Sequence, residues 1–189
     1  DIVSLNPNQL KDIWQDIAKI AKVIDANDRG RALISKIKVS MTTIDKKCAA
    51  LRLRPRVACI EWIAPLMAAG NWVPELISMA GGINLFGEIG VHSPWMDWEE
   101  LKSADPDVMI VMPCGFDLKR CRAEMFTLTD LPGWEELSCV KAGDVYLADG
   151  NQYFNRPGPR IAQSLEIIAE ILHPHEFKPR YKGSGWERY

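Results

Sequence analysis

The sequence predicts an α/β fold, in which a mostly parallel sheet carries helices on both faces and a long helix comes first. Beyond residue 55, short apolar stretches alternate with short helical patterns, an order typical of parallel strands joined by crossover helices. Residues 108–112 are apolar without interruption, as expected for a strand buried on both faces. Before residue 55, apolar residues recur every three or four positions, which indicates helices with one buried face.

The composition is that of a globular protein. Of the 189 residues, 47% are apolar and 25% are charged, which is the usual balance for a chain with a packed core. No apolar run approaches the ~18–20 residues that a membrane-spanning helix needs. Residues 1–4 show neither the basic start nor the apolar stretch of a secretory signal. The net charge of −2 is too close to zero to favour nucleic acid as a partner.

Two helices are predicted at the start of the chain. Asn6 followed by Pro7 predicts the first helix, because asparagine caps a helix and proline fits its first position; residues 2–5 before it are interpreted as the end of a strand. The apolar stripe of the first helix is Leu10, Ile13, Trp14, Ile17, Ile20 and Ile24. The apolar stripe of the second helix is Ile34, Ile37, Met41, Ile44, Cys48 and Leu51. This unbroken spacing over about twenty residues predicts a long rod with one apolar face.

The positive charge of the chain is concentrated on the second helix and just beyond it. Residues 29–56 contain nine basic residues and one acidic residue, Asp45, so this stretch carries +8 and the rest of the chain −10. We interpret it as a solvated helix surface. Contact with anionic lipid is a second interpretation.

The sequence divides into three regions. The break at Leu53-Arg54-Pro55 marks a boundary, because a residue before proline is disfavoured in a helix. Residues 1–54 are predicted to be a helical segment with the long helix, residues 55–177 an α/β ligand-binding lobe, and residues 178–189 a loose tail. The elements predicted within the lobe are strands at 57–60, 108–112 and 145–148, helices at 72–80, 97–104, 117–126 and 161–172, and a helical turn at 134–137.

No pattern in the sequence predicts a catalytic or metal site. The GxSxG, HExxH, GxxxxGK, GxGxxG and CxxC motifs do not occur. The five cysteines are odd in number, so a complete disulfide framework is not predicted. A pairing of Cys114 with Cys121 stays open. Cys114 lies where a nucleophile could lie and His92 could act as a base, but neither has an evident partner.

Aromatic residues follow the predicted strands, at the edge where α/β sheets bind ligands. The candidate aromatic contacts are Trp62, Trp72, Trp95, Phe116 and Tyr153. Core packing is the alternative for each of them, and it is the interpretation for Trp98. Arg156 follows Tyr153 in a loop that contains prolines, and its fork of donors could hold the amide, phosphate or carboxylate oxygens of a ligand.

Five groups of motifs follow one another along most of the chain. They are Glu61-Trp62-Ile63-Ala64-Pro65-Leu66, Ala69-Gly70-Asn71-Trp72-Val73-Pro74-Glu75-Leu76 running into Ala80-Gly81-Gly82, Trp98-Glu99-Glu100-Leu101 before Asp105-Pro106-Asp107-Val108, Pro113-Cys114-Gly115-Phe116, and Tyr153-Phe154-Asn155-Arg156-Pro157-Gly158-Pro159-Arg160. In this joint order they resemble the carboxyl-terminal part of the solute-binding proteins of ABC importers for vitamin B12 or iron–siderophore complexes.

The resemblance implies a bilobal protein whose two α/β lobes are tied by one long helix, with the ligand held between the lobes. Residues 34–51 would be that helix, and the amino-terminal lobe would lie outside this sequence. The resemblance further implies no enzymatic activity, no cofactor, permease subunits as partners, and a periplasmic or cell-surface location after cleavage of a signal that this chain does not contain. By motif position the acid that docks on the permease is Glu99, with Glu100 as the near alternative.

A cobalamin-like corrinoid is the favoured ligand, because the candidate contacts are mostly neutral aromatics with one arginine and suit a large, flat, amide-rich molecule. An iron–siderophore complex is the alternative, and an enzyme or metal-handling protein on the same architecture is a third interpretation. Without a second lobe, the two apolar helix stripes are expected to be partly uncovered. A homodimer through residues 8–51 is therefore also predicted.

Overall fold

The computed structural model describes residues 2–189, which form eight α-helices and six strands. In chain order these are α1 Leu10–Val23, α2 Asn27–Ala49, β1 Arg56–Ile63, β2 Leu66–Ala68, α3 Val73–Met79, β3 Ile83–Asn84, α4 Trp98–Ala104, β4 Val108–Val111, α5 Leu118–Glu124, α6 Phe126–Thr129, α7 Ser138–Ala142, β5 Val145–Ala148, α8 Ile161–Leu172 and β6 Trp186–Arg188. A 3-10 helix at Trp134–Glu136 precedes α7, and a π-helical turn at Gly150–Phe154 follows β5. No helix within residues 2–189 is long and apolar enough to cross a membrane.

The sheet is parallel at its centre and antiparallel at both edges. Its strand order is β2-β1-β4-β5-β6, and β3 pairs with the beginning of β1. The strands β1, β4 and β5 are parallel neighbours, whereas β2 and β6 run antiparallel to β1 and β5. The predicted mostly parallel sheet is confirmed.

Helices cover both faces of the sheet, as predicted. Because side chains alternate along a strand, Val57 and Cys59 of β1 face one apolar cluster and Ala58 and Ile60 face the other. The first cluster contains the buried residues of α1, α2, α3 and α8. The second contains those of α4, α5, α6 and α7. Helices α1 and α2 therefore share a core with the lobe, and the division of the chain at residues 54 and 55 stays a prediction.

The chain before α1 differs from the prediction. Residues 2–5 form no strand, and α1 begins at Leu10 rather than at Pro7. The carboxylate of Asp12 accepts the backbone N–H groups of Asn8 and Gln9 at 3.0 and 3.1 Å. The Leu10 N–H donates to Glu75 Oε2 on α3 at 3.0 Å. These acceptors satisfy the free N–H groups that open a helix, so the helix begins where they lie and not at the Asn6-Pro7 signal.

The apolar stripe of the long helix is buried by this chain itself. Ile37, Met41, Ile44 and Cys48 of α2 are all buried in the first cluster. On α1, Leu10, Ile13 and Ile17 are buried there as well, while Ile20 and Ile24 are exposed. The expectation that both stripes would be left partly uncovered is wrong for most of their length, because α3 and α8 of the same lobe cover them.

The end of the chain is not a loose tail. Trp186–Arg188 pair with β5 as the antiparallel edge strand β6, and Trp186 is buried. The buried carboxylate of Glu170 on α8 accepts hydrogen bonds from the Arg180 and Tyr181 backbone N–H groups at 2.9 and 3.1 Å and from the Trp186 indole at 2.6 Å. One carboxylate thus fixes the last ten residues to the lobe. These residues contain few apolar side chains, so the sequence showed no strand pattern from which β6 could be predicted.

Candidate functional site

The carboxyl ends of three parallel strands bring the predicted site loops together. Ile60 of β1 lies opposite Val111 of β4, and Val111 lies opposite Leu147 of β5. Residues 61–62 at the end of β1 and residues 113–116 and 149–156 after β4 and β5 therefore lie at one edge of the sheet, in neighbouring positions. Ligands of α/β sheets bind outside this edge. We call the surface formed by these three segments and by the adjoining residues 93–95 the carboxyl-edge surface; Ser93 bonds to Glu61 and Trp95 bridges to Met67 of β2.

Trp62 lies on this surface and is supported from below by Phe116. The Trp62 indole is half-buried, donates to the Ala64 carbonyl oxygen at 2.9 Å, and meets the Phe116 ring edge to face with centroids 5.5 Å apart. Phe116 itself is only 1% exposed, and the Arg120 guanidinium stacks on it at 3.7 Å. Trp62 and Arg120 thus cover the Phe116 ring. The prediction of Phe116 as a ligand contact is therefore wrong, and its role is to orient Trp62.

The two remaining tryptophans of the prediction lie in opposite environments. Trp72 is 9% exposed, belongs to the first apolar cluster, and donates its indole N–H to the Phe154 carbonyl oxygen at 3.1 Å. Its predicted role is corrected to that of an anchor for the π-helical turn. Trp95 is 64% exposed and bridges to Met67 of the edge strand β2. Only Trp95 of this pair is free to meet a ligand.

The segment after β5 is held close to the segment after β4. The Asp149 carboxylate caps the π-helical turn by accepting the Gln152 N–H at 2.7 Å. A side chain on Gly150 would clash with the Pro113 carbonyl oxygen, so glycine permits this approach. Tyr153 is half-buried, and its ring packs edge to face on Tyr181 with centroids 5.8 Å apart. Tyr153 therefore packs against Tyr181, near the carboxyl terminus. Its predicted ligand contact is limited to the edge of the ring that remains accessible.

Arg156 is the exposed cation of the carboxyl-edge surface. Its Nε donates to the Asn151 backbone oxygen at 3.1 Å, and its Nη2 donates to Asn151 Oδ1 at 3.0 Å. The Nη1 group makes no hydrogen bond with any residue in the described part of the chain. Asn151 thus orients the guanidinium while its outer donors remain available, as the sequence analysis predicted for a ligand contact.

Two residues of this surface were missed by the sequence analysis, Glu61 and Ser93. Glu61 Oε2 accepts the Ser93 hydroxyl at 2.8 Å, and burial raises the pKa of the Glu61 carboxyl. The hydroxyl of Ser93, which is 4% exposed, accepts the Gly70 N–H at 3.1 Å. A charged residue inside the otherwise apolar run of residues 57–63 is the signal that could have pointed to Glu61.

The geometry gives no support to a nucleophile or a metal. Cys114 is exposed, Cys121 is the buried cysteine of α5, and both thiols are free, so the open pairing is not formed. Burial raises the pKa of Cys121 to about 12 and also raises that of Cys114, and a raised pKa disfavours the reactive thiolate. Across residues 2–189 no three histidine, cysteine or carboxylate side chains are grouped as a metal would require.

The predicted docking acids Glu99 and Glu100 lie on α4, in the helical layer that covers the second apolar cluster. Asp97 caps α4 by accepting the Glu99 N–H at 2.8 Å, which fixes the first turn. Glu99 and Glu100 are both exposed there, and Glu99 pairs with Lys102 at 2.9 Å. Trp98 stacks on Trp134 with centroids 6.3 Å apart and packs against the second apolar cluster. Trp98 is half-buried, so it packs at the border of the core rather than inside it, and its interpretation as a core residue holds only in part.

Comparison with known proteins gives one family match and a set of partial relatives. The family described as "Periplasmic binding protein" matches residues 2–151. The vitamin B12-binding proteins of several Vibrio cholerae strains are 26% identical over 107 residues, which is 56% of this chain. The matched segment spans 35% of those relatives' own length.

Solved structures share the fold at low sequence identity. An ABC transporter substrate-binding protein from Listeria monocytogenes aligns over 91% of this chain and 67% of its own, with a TM-score of 0.80 and 16% identity. The Staphylococcus aureus protein IsdE, complexed with heme, aligns over 89% of this chain and 67% of its own, with a TM-score of 0.76 and 17% identity. A protein of an Fe3+-hydroxamate transport system from Saccharomonospora viridis aligns over 90% and 58%, with a TM-score of 0.71 and 20% identity.

Proposed function

The chain belongs to the periplasmic binding protein family, and from this premise we propose that it is the solute-binding component of an ABC importer. The observation that carries the proposal is the carboxyl-edge surface. It presents Trp62 and Trp95 as accessible aromatic faces and Arg156 as an oriented donor; Trp62 lies near the end of β1 and Arg156 after β5, the parallel strands on either side of β4, and Trp95 adjoins them beside β2. In the proposal, this surface is one wall of the ligand cleft.

The proposed ligand is a cobalamin-like corrinoid. The curated relatives are named as vitamin B12-binding proteins, and the accessible contacts are mostly neutral, which suits a large flat ligand with many amide groups. The positive charge of the chain lies elsewhere, on α2, where Lys38 and Lys47 stack on Trp14 and Phe177. An iron–siderophore complex or heme is the alternative, favoured by the ligands named for the Saccharomonospora viridis and Staphylococcus aureus proteins.

Delivery is proposed to occur at a permease that recognises Glu99. An exposed carboxylate on a capped first helical turn is a fixed acidic point that a basic pocket could accept. Membership of the family implies a location outside the cytoplasm, and the proposal adds export by a cleaved signal. A homodimer through residues 8–51 is a further part of the proposal, now supported by the smaller set of apolar side chains that remain exposed near the α1–α2 turn.

A ligand titration tests the proposal. The chain, and a version extended upstream, are titrated by calorimetry with cyanocobalamin, hemin and a ferric hydroxamate siderophore, with tryptophan emission as a second readout. We expect the extended protein to prefer cyanocobalamin and this chain to bind it more weakly. Preference for hemin or the siderophore would replace the corrinoid by that ligand, and no binding of any of the three would refute the proposed function.

A further inference from the structure

Glu61 is a fixed and partly buried carboxylate on the carboxyl-edge surface. It lies near the end of β1, where the pairing with β2 shifts register between Ile60 and Trp62. Its orientation is set by the Ser93 hydroxyl, which donates to Glu61 Oε2 at 2.8 Å and accepts from Gly70 N–H at 3.1 Å. Because a hydroxyl has one proton to donate, the donor of Ser93 is committed to Glu61.

The charge of Glu61 is not neutralised within the described part of the chain. Ser93 supplies the side-chain hydrogen bond, and no lysine or arginine of residues 2–189 forms a salt bridge with Glu61. Of its neighbours, Cys114 is a thiol and His92 is exposed. Burial raises the pKa of Glu61, and His92 lowers it only in part, so the pKa remains raised. A half-buried carboxylate without a salt bridge is costly in the free protein, which is a reason to look for its partner in the ligand.

The carboxyl-edge surface carries an acceptor, Glu61, on one side and a donor, Arg156, on the other. Glu61 lies near the end of β1, Cys114 follows the neighbouring β4, and Arg156 follows the turn after β5 on the far side of β4. Besides the effect of burial, both charged residues lie close enough to Cys114 to act on its pKa, which Glu61 raises and Arg156 lowers. A flat ligand resting on Trp62 would meet both.

We propose that Glu61 is a specificity-determining residue that accepts an N–H group from a peripheral carboxamide of the ligand and rejects a carboxylate at the same place. The inference rests on the proposed corrinoid function and adds the group that is recognised. A primary carboxamide both donates and accepts, so amides of one ligand can satisfy Glu61 at one edge and Arg156 at the other. A ligand carboxylate facing Glu61 would instead place two like charges in a partly desolvated site.

The test compares cyanocobalamin with its monocarboxylic acid isomers, in each of which one peripheral amide is replaced by a carboxylate. Affinities are measured by calorimetry at pH 7.5 for the full-length protein and for its Glu61→Gln variant. Glutamine keeps an oxygen for the Ser93 hydroxyl, removes the charge, and replaces the second oxygen by an amide donor of similar size. A matched control is Glu135→Gln, the same change at an exposed acid on the 3-10 helix.

We expect the unmodified protein to bind at least one isomer tenfold or more weakly than cyanocobalamin. In Glu61→Gln this discrimination should fall below threefold, because the glutamine amide can donate to a carboxylate, whereas Glu135→Gln should keep it.

Three outcomes would overturn the inference in distinguishable ways. Equal discrimination in the unmodified protein and in Glu61→Gln, both folded by circular dichroism, would remove Glu61 from ligand selection while leaving corrinoid binding intact. No discrimination against any isomer would show that amides do not face Glu61. Absence of cyanocobalamin binding by the unmodified protein would refute the proposed function itself, and the inference with it.

Discussion

At the scale of single residues, the carboxyl-edge surface separates residues that can touch a ligand from residues that hold them in place. Trp62, Trp95 and Arg156 are accessible, whereas Trp72 and Phe116 are buried beneath the loops. All five lie near turn residues in the sequence. Residue type and sequence position therefore could not show which of them are accessible and which are buried. The division depends on neighbours distant in sequence, such as the Phe154 carbonyl oxygen that takes the Trp72 indole N–H.

Arg156→Ala is expected to weaken ligand binding without unfolding the protein. The expected loss is ~1.5–3 kcal/mol, the range for a hydrogen bond that involves a charged group. Because Arg156 is exposed and bonds only to Asn151, the melting temperature should stay nearly unchanged. Calorimetric titration and thermal melts measure both, with Arg31→Ala, an exposed arginine on α2, as control. A large drop in melting temperature would make Arg156 a structural residue.

Glu61→Gln is expected to stabilise the free protein at neutral pH. Burial raises the pKa of Glu61 above its usual value of 4.5, so the folded state holds the proton more tightly than the unfolded state. The stability that this gives is fully present below pH 4.5 and is lost as the pH rises through the raised pKa. Glutamine carries no such dependence, so urea unfolding should show a gain at pH 7.5 that disappears near pH 4. A gain of equal size at both pH values would exclude this cause.

At the scale of elements, the central strands and long helices were predictable and the sheet edges were not. Strands at residues 57–60, 108–112 and 145–148 and the helix at residues 161–172 follow their apolar patterns, and all are confirmed. The edge strands β2, β3 and β6 have only two or three residues each. Such short pairings are created by the strand beside them, so a local pattern carries no signal for them.

Glu170→Ala is expected to release β6 and destabilise the lobe by about 3 kcal/mol, because each buried donor left without an acceptor costs ~1–3 kcal/mol. The donors lost are the Arg180 and Tyr181 N–H groups and the Trp186 indole. Glu166→Ala on the same helix removes only a pair with the exposed Arg180, and should cost less than about 1 kcal/mol. Equal effects of the two variants in urea unfolding would contradict this role of Glu170.

Glu99→Ala is expected to keep ligand affinity and to reduce uptake by the importer. An exposed charge pair is worth up to about 1 kcal/mol, so half-maximal stimulation of the permease should need about fivefold more binding protein. Stimulated ATP hydrolysis in proteoliposomes measures this, with Glu135→Ala as the control for a lost surface charge. Unchanged stimulation by Glu99→Ala, together with a loss in Glu100→Ala, would move the docking role to Glu100.

At the scale of the whole molecule, the family match shows the family that the sequence resembled. The family is one of binding proteins, so the prediction that the chain is not an enzyme is confirmed. The sequence could indicate the family because the joint order of several motifs is specific, even where each motif alone is not. It could not show that α1 and α2 would be covered by α3 and α8, since that packing brings together residues far apart in sequence.

The last prediction concerns self-association, which now depends on a smaller surface than the two full stripes. Ile20, Ile24, Leu33 and Val39 remain exposed, and an apolar hollow of about 380 Å³ lies at the α1–α2 turn. Burying a side chain of this size is worth ~1.5–3 kcal/mol before the cost of association. A second copy contributing the same side chains would cover the patch with twofold symmetry. The basic residues of α2 oppose this by repulsion, so the dimer should be weak.

Sedimentation velocity over a hundredfold dilution should show a dimer near 100 µM protein and a monomer near 1 µM, with the dimer favoured by salt, because salt screens the charge of residues 29–56. Ile24→Glu should abolish the dimer, since it places a carboxylate within the apolar patch. Ile83→Glu, the same change at an exposed isoleucine of β3 outside residues 8–51, should leave the dimer unchanged. A strictly monomeric, folded chain at every concentration would rule out the homodimer, and equal loss in both variants would place the contact outside residues 8–51.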